Sequence, residues 1–131
     1  YREEGYELKK VMGGMLVQER YTKLYEKLET VTDRAPSDKE MEDLLFAWKA
    51  VKDTKSNAVT VAKDKCLVAN GPGQVNRIWP MENCVEHGGE RCKGAVLASD
   101  AYFPFNDVCT AAAKARPQSS SRVVRSGMRI P

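Results

Sequence analysis

A layered α/β fold is predicted by three observations. One amphipathic helix carries a complete N-terminal capping signal, a β-hairpin pattern follows it directly, and helical and extended segments then alternate toward the C-terminus. The chain has 131 residues, enough for one domain with a modest core. Apolar residues make up 42% and charged residues 30%, an ordinary globular balance.

The elements follow in order. "YELKKVMGGMLVQERYT" reads as two short extended pieces broken at Gly13 and Gly14, with Met15, Leu16 and Val17 apolar enough to lie in a sheet. "LETVTD" is a further weak strand. In "APSDKEMEDLLFAWKAVKDTKSN", Ser37 is an N-cap with Glu40 three residues on. Met41, Leu44, Leu45, Trp48 and Val51 fall at helical spacing and predict one buried stripe. Acids gather in the first turns and lysines in the last, which suits the helix dipole. "NAVTVAKDKCLVANG" predicts a hairpin, with Val59 and Val61 alternating with Thr60 and a turn at residues 63–65. "GPGQ" follows the return strand. A helix is then predicted in "VNRIWPMENCVEHGG", ended by Gly88 and Gly89 and kinked or divided by Pro80. "GAVLAS" predicts a short apolar strand at the sheet centre, and "NDVCTAAAKA" a last helix with Asn106 as N-cap.

Bulk properties exclude several classes. Mean hydropathy is −0.52, and no apolar run approaches the ~20 residues that span a bilayer. The polar opening "YREEGYELKK" lacks the apolar stretch of a signal peptide. A net charge of +3 is too small to argue for nucleic acid. Its excess sits in the tail, where Arg116, Arg122, Arg125 and Arg129 occur without an acid. Cys66, Cys84, Cys92 and Cys109 do not have the spacing of a small disulfide scaffold, so reduced thiols in a cytoplasmic protein are expected.

Four stretches could carry chemistry. The "GPGQ" turn between strand and helix could bring backbone N–H groups to an anion, although two such glycines are more often simply a turn. "SDAYFPFNDV" puts Tyr102, Phe103 and Phe105 around Pro104, flanked by Asp100 and Asp107; it is either a core corner or a pocket lining after a strand. Cys84, His87 and Cys92 raise a zinc site without any paired CxxC, against buried inert thiols and a solvated histidine. The arginine-bearing tail could touch phosphates, against an inert disordered end.

Two of these stretches, together with the helix-to-hairpin segment before them, share a resemblance. "DLLFAWKAVKDTKSNAVTVAKD", "GPGQVNRIW" and "GAVLASDAYFPFNDVCTAAAKA" resemble, in order and spacing, the later part of the formyltransferase region in a bifunctional purine-biosynthesis family. That family joins phosphoribosylaminoimidazolecarboxamide (AICAR) formyltransferase to IMP cyclohydrolase. "LKKVMGGMLVQE" resembles the segment leading into it. The resemblance implies a cytidine-deaminase-like layered α/β/α fold without zinc, here incomplete. It also implies a homodimer with AICAR and a folate as small-molecule ligands, no nucleic acid and no membrane. The implied reaction moves a formyl group from 10-formyltetrahydrofolate, a cosubstrate, to the 5-amino group of AICAR.

Carried over residue by residue, the resemblance makes Asn57 of the Ser56-Asn57 pair a polar contact to substrate. Arg77 would supply charge for the phosphoribosyl group and Ile78 a contact to folate. Tyr102 would stand beside the substrate ring, and Asp107 would meet the pterin or the substrate. Pro72 and Pro80 depart from the family's usual smaller residues. No catalytic residue is assigned, because the family's Lys-His pair lies upstream of the matching part and His87 does not align with it. Residues 1–115 are thus expected to be a partial formyltransferase domain that is inactive alone. A non-catalytic AICAR- or folate-binding remnant is the first alternative, and a small basic zinc or nucleic-acid module the second.

The match stops after Ala115. Codons for a family-like "VIQPGGSVRDEDS", read one base later, give "SSSRVVRSGMRIP", the last thirteen residues of the chain. Residues 116–131 are therefore expected to be a frameshifted, disordered tail, whose loss of a sheet element would leave an exposed edge and apolar faces.

Overall fold

The computed structural model describes residues 5–20, 24–25, 27–30 and 34–101. Among them the order is β1 (Tyr6–Val11), β2 (Gly14–Glu19), α1 (Asp38–Lys52), β3 (Val59–Lys63), β4 (Cys66–Gly71), α2 (Ile78–Gly88), one 3-10 turn (Gly89–Cys92) and β5 (Val96–Ser99). The fold is α/β, with two antiparallel sheets: β1-β2, and a three-stranded sheet in the order β4-β3-β5. The last helix expected from the sequence, the boundary at residue 115 and the tail lie outside the described residues.

The β1-β2 hairpin turns at Met12 and Gly13, where Gly13 has φ +83°, so Gly14 opens the second strand instead of closing the turn. Every residue of both strands is exposed. Of the weak strand expected at 28–33, residues 28–30 are irregular and exposed, and the others lie outside the described set.

Helix α1 begins where the capping signal says. Ser37 Oγ accepts from Glu40 N at 3.3 Å, and Glu40 Oε2 accepts from Ser37 N at 2.8 Å. Its buried face is rotated from the expected stripe: Asp43, Leu44, Ala47 and Val51 are buried, while Met41, Leu45 and Trp48 are half-buried. The small Ala47 lets the sheet approach, and Thr60 Oγ1 donates to its carbonyl at 3.0 Å. The Trp48 ring keeps to the side, its Nε1 donating to Leu24 O at 2.8 Å.

The β3-β4 turn is Asp64 and Lys65, both at positive φ (52° and 57°), the geometry of a two-residue type I′ turn. Neither is glycine, and helix α1 compensates. The Asp43 carboxylate accepts Asp64 N at 3.0 Å and Lys65 N at 2.7 Å. Lys39–Asp64 and Lys65–Glu42 ion pairs, at 2.6 and 2.7 Å, flank it.

Strand β3 is buried along four of its five residues because it lies at the sheet centre and both faces are covered. Val59 and Val61 pack with Met81, Cys84, Cys92 and Leu97 on the α2 side. Ala58 and Ala62 pack with Leu44, Ala47, Val51, Val96 and Ala98 on the α1 side. Alternation along the strand thus puts the helices on opposite faces, a helix-sheet-helix layering. The sequence expected β5 at the centre. Its four residues are all buried, but β3 is its one strand partner among the described residues. Its apolar residues serve both cores, Val96 and Ala98 on the α1 side and Leu97 on the other.

Pro80 neither kinks nor divides α2. The helix starts at Ile78, so Pro80 is its third residue, where an N–H would have had no intrahelical acceptor. Just before the helix, Asn76 Oδ1 accepts Trp79 N at 3.0 Å. The helix comes so near the sheet that a Cβ on Gly71 would stand 2.3 Å from the Pro80 carbonyl oxygen.

Candidate functional site

Three segments meet at one end of the three-stranded sheet. The first is the loop that leaves α1, where Thr54 Oγ1 returns to Ala50 O at 2.8 Å and Lys55, Ser56 and Asn57 lead into β3. The second is the glycine turn, Gly71 through Gln74, with Gly73 at φ +65°. The third is the end of β5, Ser99 and Asp100.

The first two segments pair through their backbones. Gly73 N donates to Lys55 O at 2.7 Å, Gln74 N to Asn57 O at 3.2 Å, and Asn57 N to Gln74 O at 3.3 Å. The N–H groups of Gly73 and Gln74 are therefore used by the chain itself. The glycine turn docks the Ser56-Asn57 loop, which answers the anion-cradle question in favour of a turn.

The side chains then converge. Arg77 turns back from the entry of α2, and its Nη2 donates to Asn57 Oδ1 at 2.6 Å. Its Nη1 donates to Ser99 Oγ at 3.1 Å and pairs with the Asp100 carboxylate. Asn57 Nδ2 donates to Gln74 O at 2.9 Å. Asp100 also accepts from Ala58 N at 3.0 Å and from the Ser56 hydroxyl. The Arg77 and Asp100 side chains are only 14% and 15% exposed. At that burial, a lone charge of either sign would be costly, so the pair depends on its donors and acceptors being complete. Burial works to raise the Asp100 carboxyl, but hydrogen bonds from Ser56, Ala58 and Arg77 and the guanidinium charge outweigh it and hold the group below its ordinary 3.8.

Of the residues singled out in the sequence, Asn57 and Arg77 are brought into direct contact. Ile78 is adjacent to Arg77 in sequence, but it packs, half-buried, against the α2-side core. Tyr102 and Asp107 lie outside the described residues. Sequence reasoning gave no role to Asp100, Ser56, Ser99 or Gln74. The available signal was an acid set immediately after a fully apolar strand, because an arginine drawn into a half-buried wall needs a carboxylate beside it.

The zinc candidates do not converge. Cys84 Sγ donates to Val59 O at 3.3 Å inside the core, and Cys92 Sγ to Cys84 O at 3.6 Å, while His87 is exposed. Burial pushes the Cys84 thiol up to about 12 and raises Cys92 as well, so both are inert thiols. No group of metal-ligating side chains occurs among the described residues, and none of their helices is long and apolar enough to cross a membrane.

Fold and cluster together define an α/β unit with a half-buried Arg-Asp-Asn network at one end of its sheet. The family model described as "AICARFT/IMPCHase bienzyme" matches residues 1–87. The chain belongs to that family. It is 58% identical over 114 residues to a bifunctional purine biosynthesis protein PurH of Thermoanaerobacter sp., covering 86% of this chain and 22% of that protein. Proteins of the same description from Ruminiclostridium cellulolyticum and Caldicellulosiruptor bescii are 54% identical over 114 residues and 55% over 111, covering 86% and 84% of this chain and 22% of each. The chain thus spans about a fifth of the length of these curated relatives.

Proposed function

We propose that the Asn57–Arg77–Asp100 cluster is one wall of a formyl-transfer cleft, in a chain corresponding to the later part of the AICAR formyltransferase region. The fold would be the cytidine-deaminase-like α/β/α arrangement. The reaction would pass the formyl group of 10-formyltetrahydrofolate to the amine of AICAR. That amine is a weak nucleophile, its lone pair being delocalised into the ring. Transfer therefore needs the reactants held in near-attack geometry, a proton acceptor and a donor for the developing oxyanion. Asn57 contributes a positioned amide, Arg77 a fixed cation and Ile78 an apolar edge. Tyr102 and Asp107 would extend the wall along the chain. The proton-transfer groups would come from other parts of a family member, and a homodimer would complete the cleft.

One observation carries this reading. Asn57 and Arg77, twenty residues apart and both carried over from the resemblance, meet at 2.6 Å. The test is calorimetric titration of the 131-residue chain with AICAR and with a folate analogue, beside a formyl-transfer assay. The expected outcome is AICAR binding without turnover, weakened about tenfold by Asn57→Ala, the effect of losing one or two hydrogen bonds. Absence of heat with both ligands would overturn the proposal.

A further inference from the structure

We propose that Asp100 is a positioning residue for Asn57, acting through Arg77, and that it turns the Asn57 amide so that a bound molecule meets an N–H donor there. The orientation follows from what each neighbour can accept or give. A guanidinium has donors only, so the Asn57 atom it meets at 2.6 Å is the oxygen. The Gln74 backbone carbonyl only accepts, so the Asn57 atom 2.9 Å from it is the nitrogen. The flipped amide would set N–H against N–H and oxygen against oxygen. The two anchors therefore leave one arrangement.

Asp100 governs that arrangement from two directions. Its carboxylate accepts from the Ser56 hydroxyl and from Ala58 N, the residues immediately before and after Asn57, and so holds the chain on both sides of it. The same carboxylate holds the guanidinium that meets the Asn57 oxygen. Without it, among the described residues, a cation with 14% of its side chain exposed would face the neutral oxygens of Ser99 and Asn57. Rotation of Arg77 toward water would relieve that burial and release the amide.

The chemical consequence is one of polarity. Asn57 Nδ2 carries two hydrogens, and Gln74 O takes one. The second is what the amide can offer, while its oxygen is turned to Arg77. A ligand group that meets the Asn57 nitrogen must then be an acceptor, such as a carbonyl or carboxamide oxygen. The identity of that ligand as AICAR rests on the reading proposed above; the control of the amide by Asp100 does not.

The experiment records side-chain amide signals in nitrogen–proton correlation spectra of the 131-residue chain, with Asn57 assigned by Asn57→Asp. Asp100→Asn keeps size and removes charge. It should shift and draw together the two Asn57 Nδ2 proton signals while the backbone signals of Val59 and Leu97 stay in place. It should also weaken AICAR binding about tenfold, the effect of one charge-assisted hydrogen bond. Unmoved Asn57 signals in a folded Asp100→Asn chain overturn the proposal.

Should that variant fail to fold, the unaltered chain answers by titration. Among the described residues Arg77 is the charged group facing Asp100, and the Ser56 hydroxyl and Ala58 N–H beside it carry none, so acidification that protonates Asp100 must move the Asn57 side-chain signals. Signals that stay fixed until the core unfolds overturn the proposal equally. If the Asn57 signals respond but AICAR gives no heat, Asp100 control stands and the substrate assignment falls.

Discussion

Two aspartates account for much of the specificity in this chain, and both are largely withdrawn from water. Asp43 is 6% exposed and answers two backbone N–H groups of the β3-β4 turn. Asp43→Ala removes both acceptors from a turn held at positive φ without glycine. It should cost about 2 kcal/mol, the range for hydrogen bonds to a charged group, read as a lowered denaturation midpoint. Asp100 makes stability depend on pH with a definite sign. Its folded pKa lies below the ordinary 3.8, so its contribution is complete above the unfolded carboxyl range and is lost as pH falls through the folded value. Unfolding followed between pH 6 and pH 2 should show the unaltered chain losing stability over that lower window, and Asp100→Asn losing less of it. Neither role was legible beforehand. Asp43 reads as one of several acids near the start of a helix, and Asp100 as one of two acids flanking an aromatic stretch. What distinguishes them is the set of donors that tertiary packing delivers.

Elements were readable where their determinants are local. The Ser37–Glu40 box fixed the start of α1, and the alternation around Thr60 announced the hairpin. Errors arose where a neighbour decides. The helical stripe looked broad because Met41, Leu45 and Trp48 are large, yet the face that meets the sheet is centred on Ala47, since a small residue is what permits close approach. Pro80 reads as a breaker when the helix is taken to begin near Val75; with the entry at Ile78 it falls in the tolerant first turn. The junction of β4 with α2 supplies a test at this scale. Gly71→Ala would drive a methyl group into the Pro80 backbone, which cannot move as a flexible side chain could. A loss of about 2–3 kcal/mol is expected, as for overpacked cores, and thermal unfolding measures it. Ser37→Ala, which removes one half of the capping box, should cost only about 1 kcal/mol by comparison.

At the scale of the molecule, the two cores lie on opposite faces of β3, and the β1-β2 hairpin belongs to neither. Tyr6, Leu8, Met15 and Val17 share one face of that hairpin, and each is more than half exposed. A two-stranded hairpin of this kind adds little stability of its own. Deleting residues 1–20 should therefore move the melting temperature by no more than about 2 °C, well under the shift that 1 kcal/mol produces in a domain of this size. A larger fall would show that the hairpin supports the sheet. Strand order could not be read locally. Val59–Lys63 and Val96–Ser99 are both short and buried, and among the described residues it is pairing on both sides that marks the first as the middle strand.

The polar cluster ties together positions 56–58, 74–77 and 99–100, which no stretch of local structure would bring near one another. Any compound that settles on it grips the exit of one helix, the entrance of the other and the last strand in a single event. Mass action then converts occupancy into resistance to heat shared by both cores. A compound bound there should accordingly raise the melting midpoint of the chain, which a thermal screen would record.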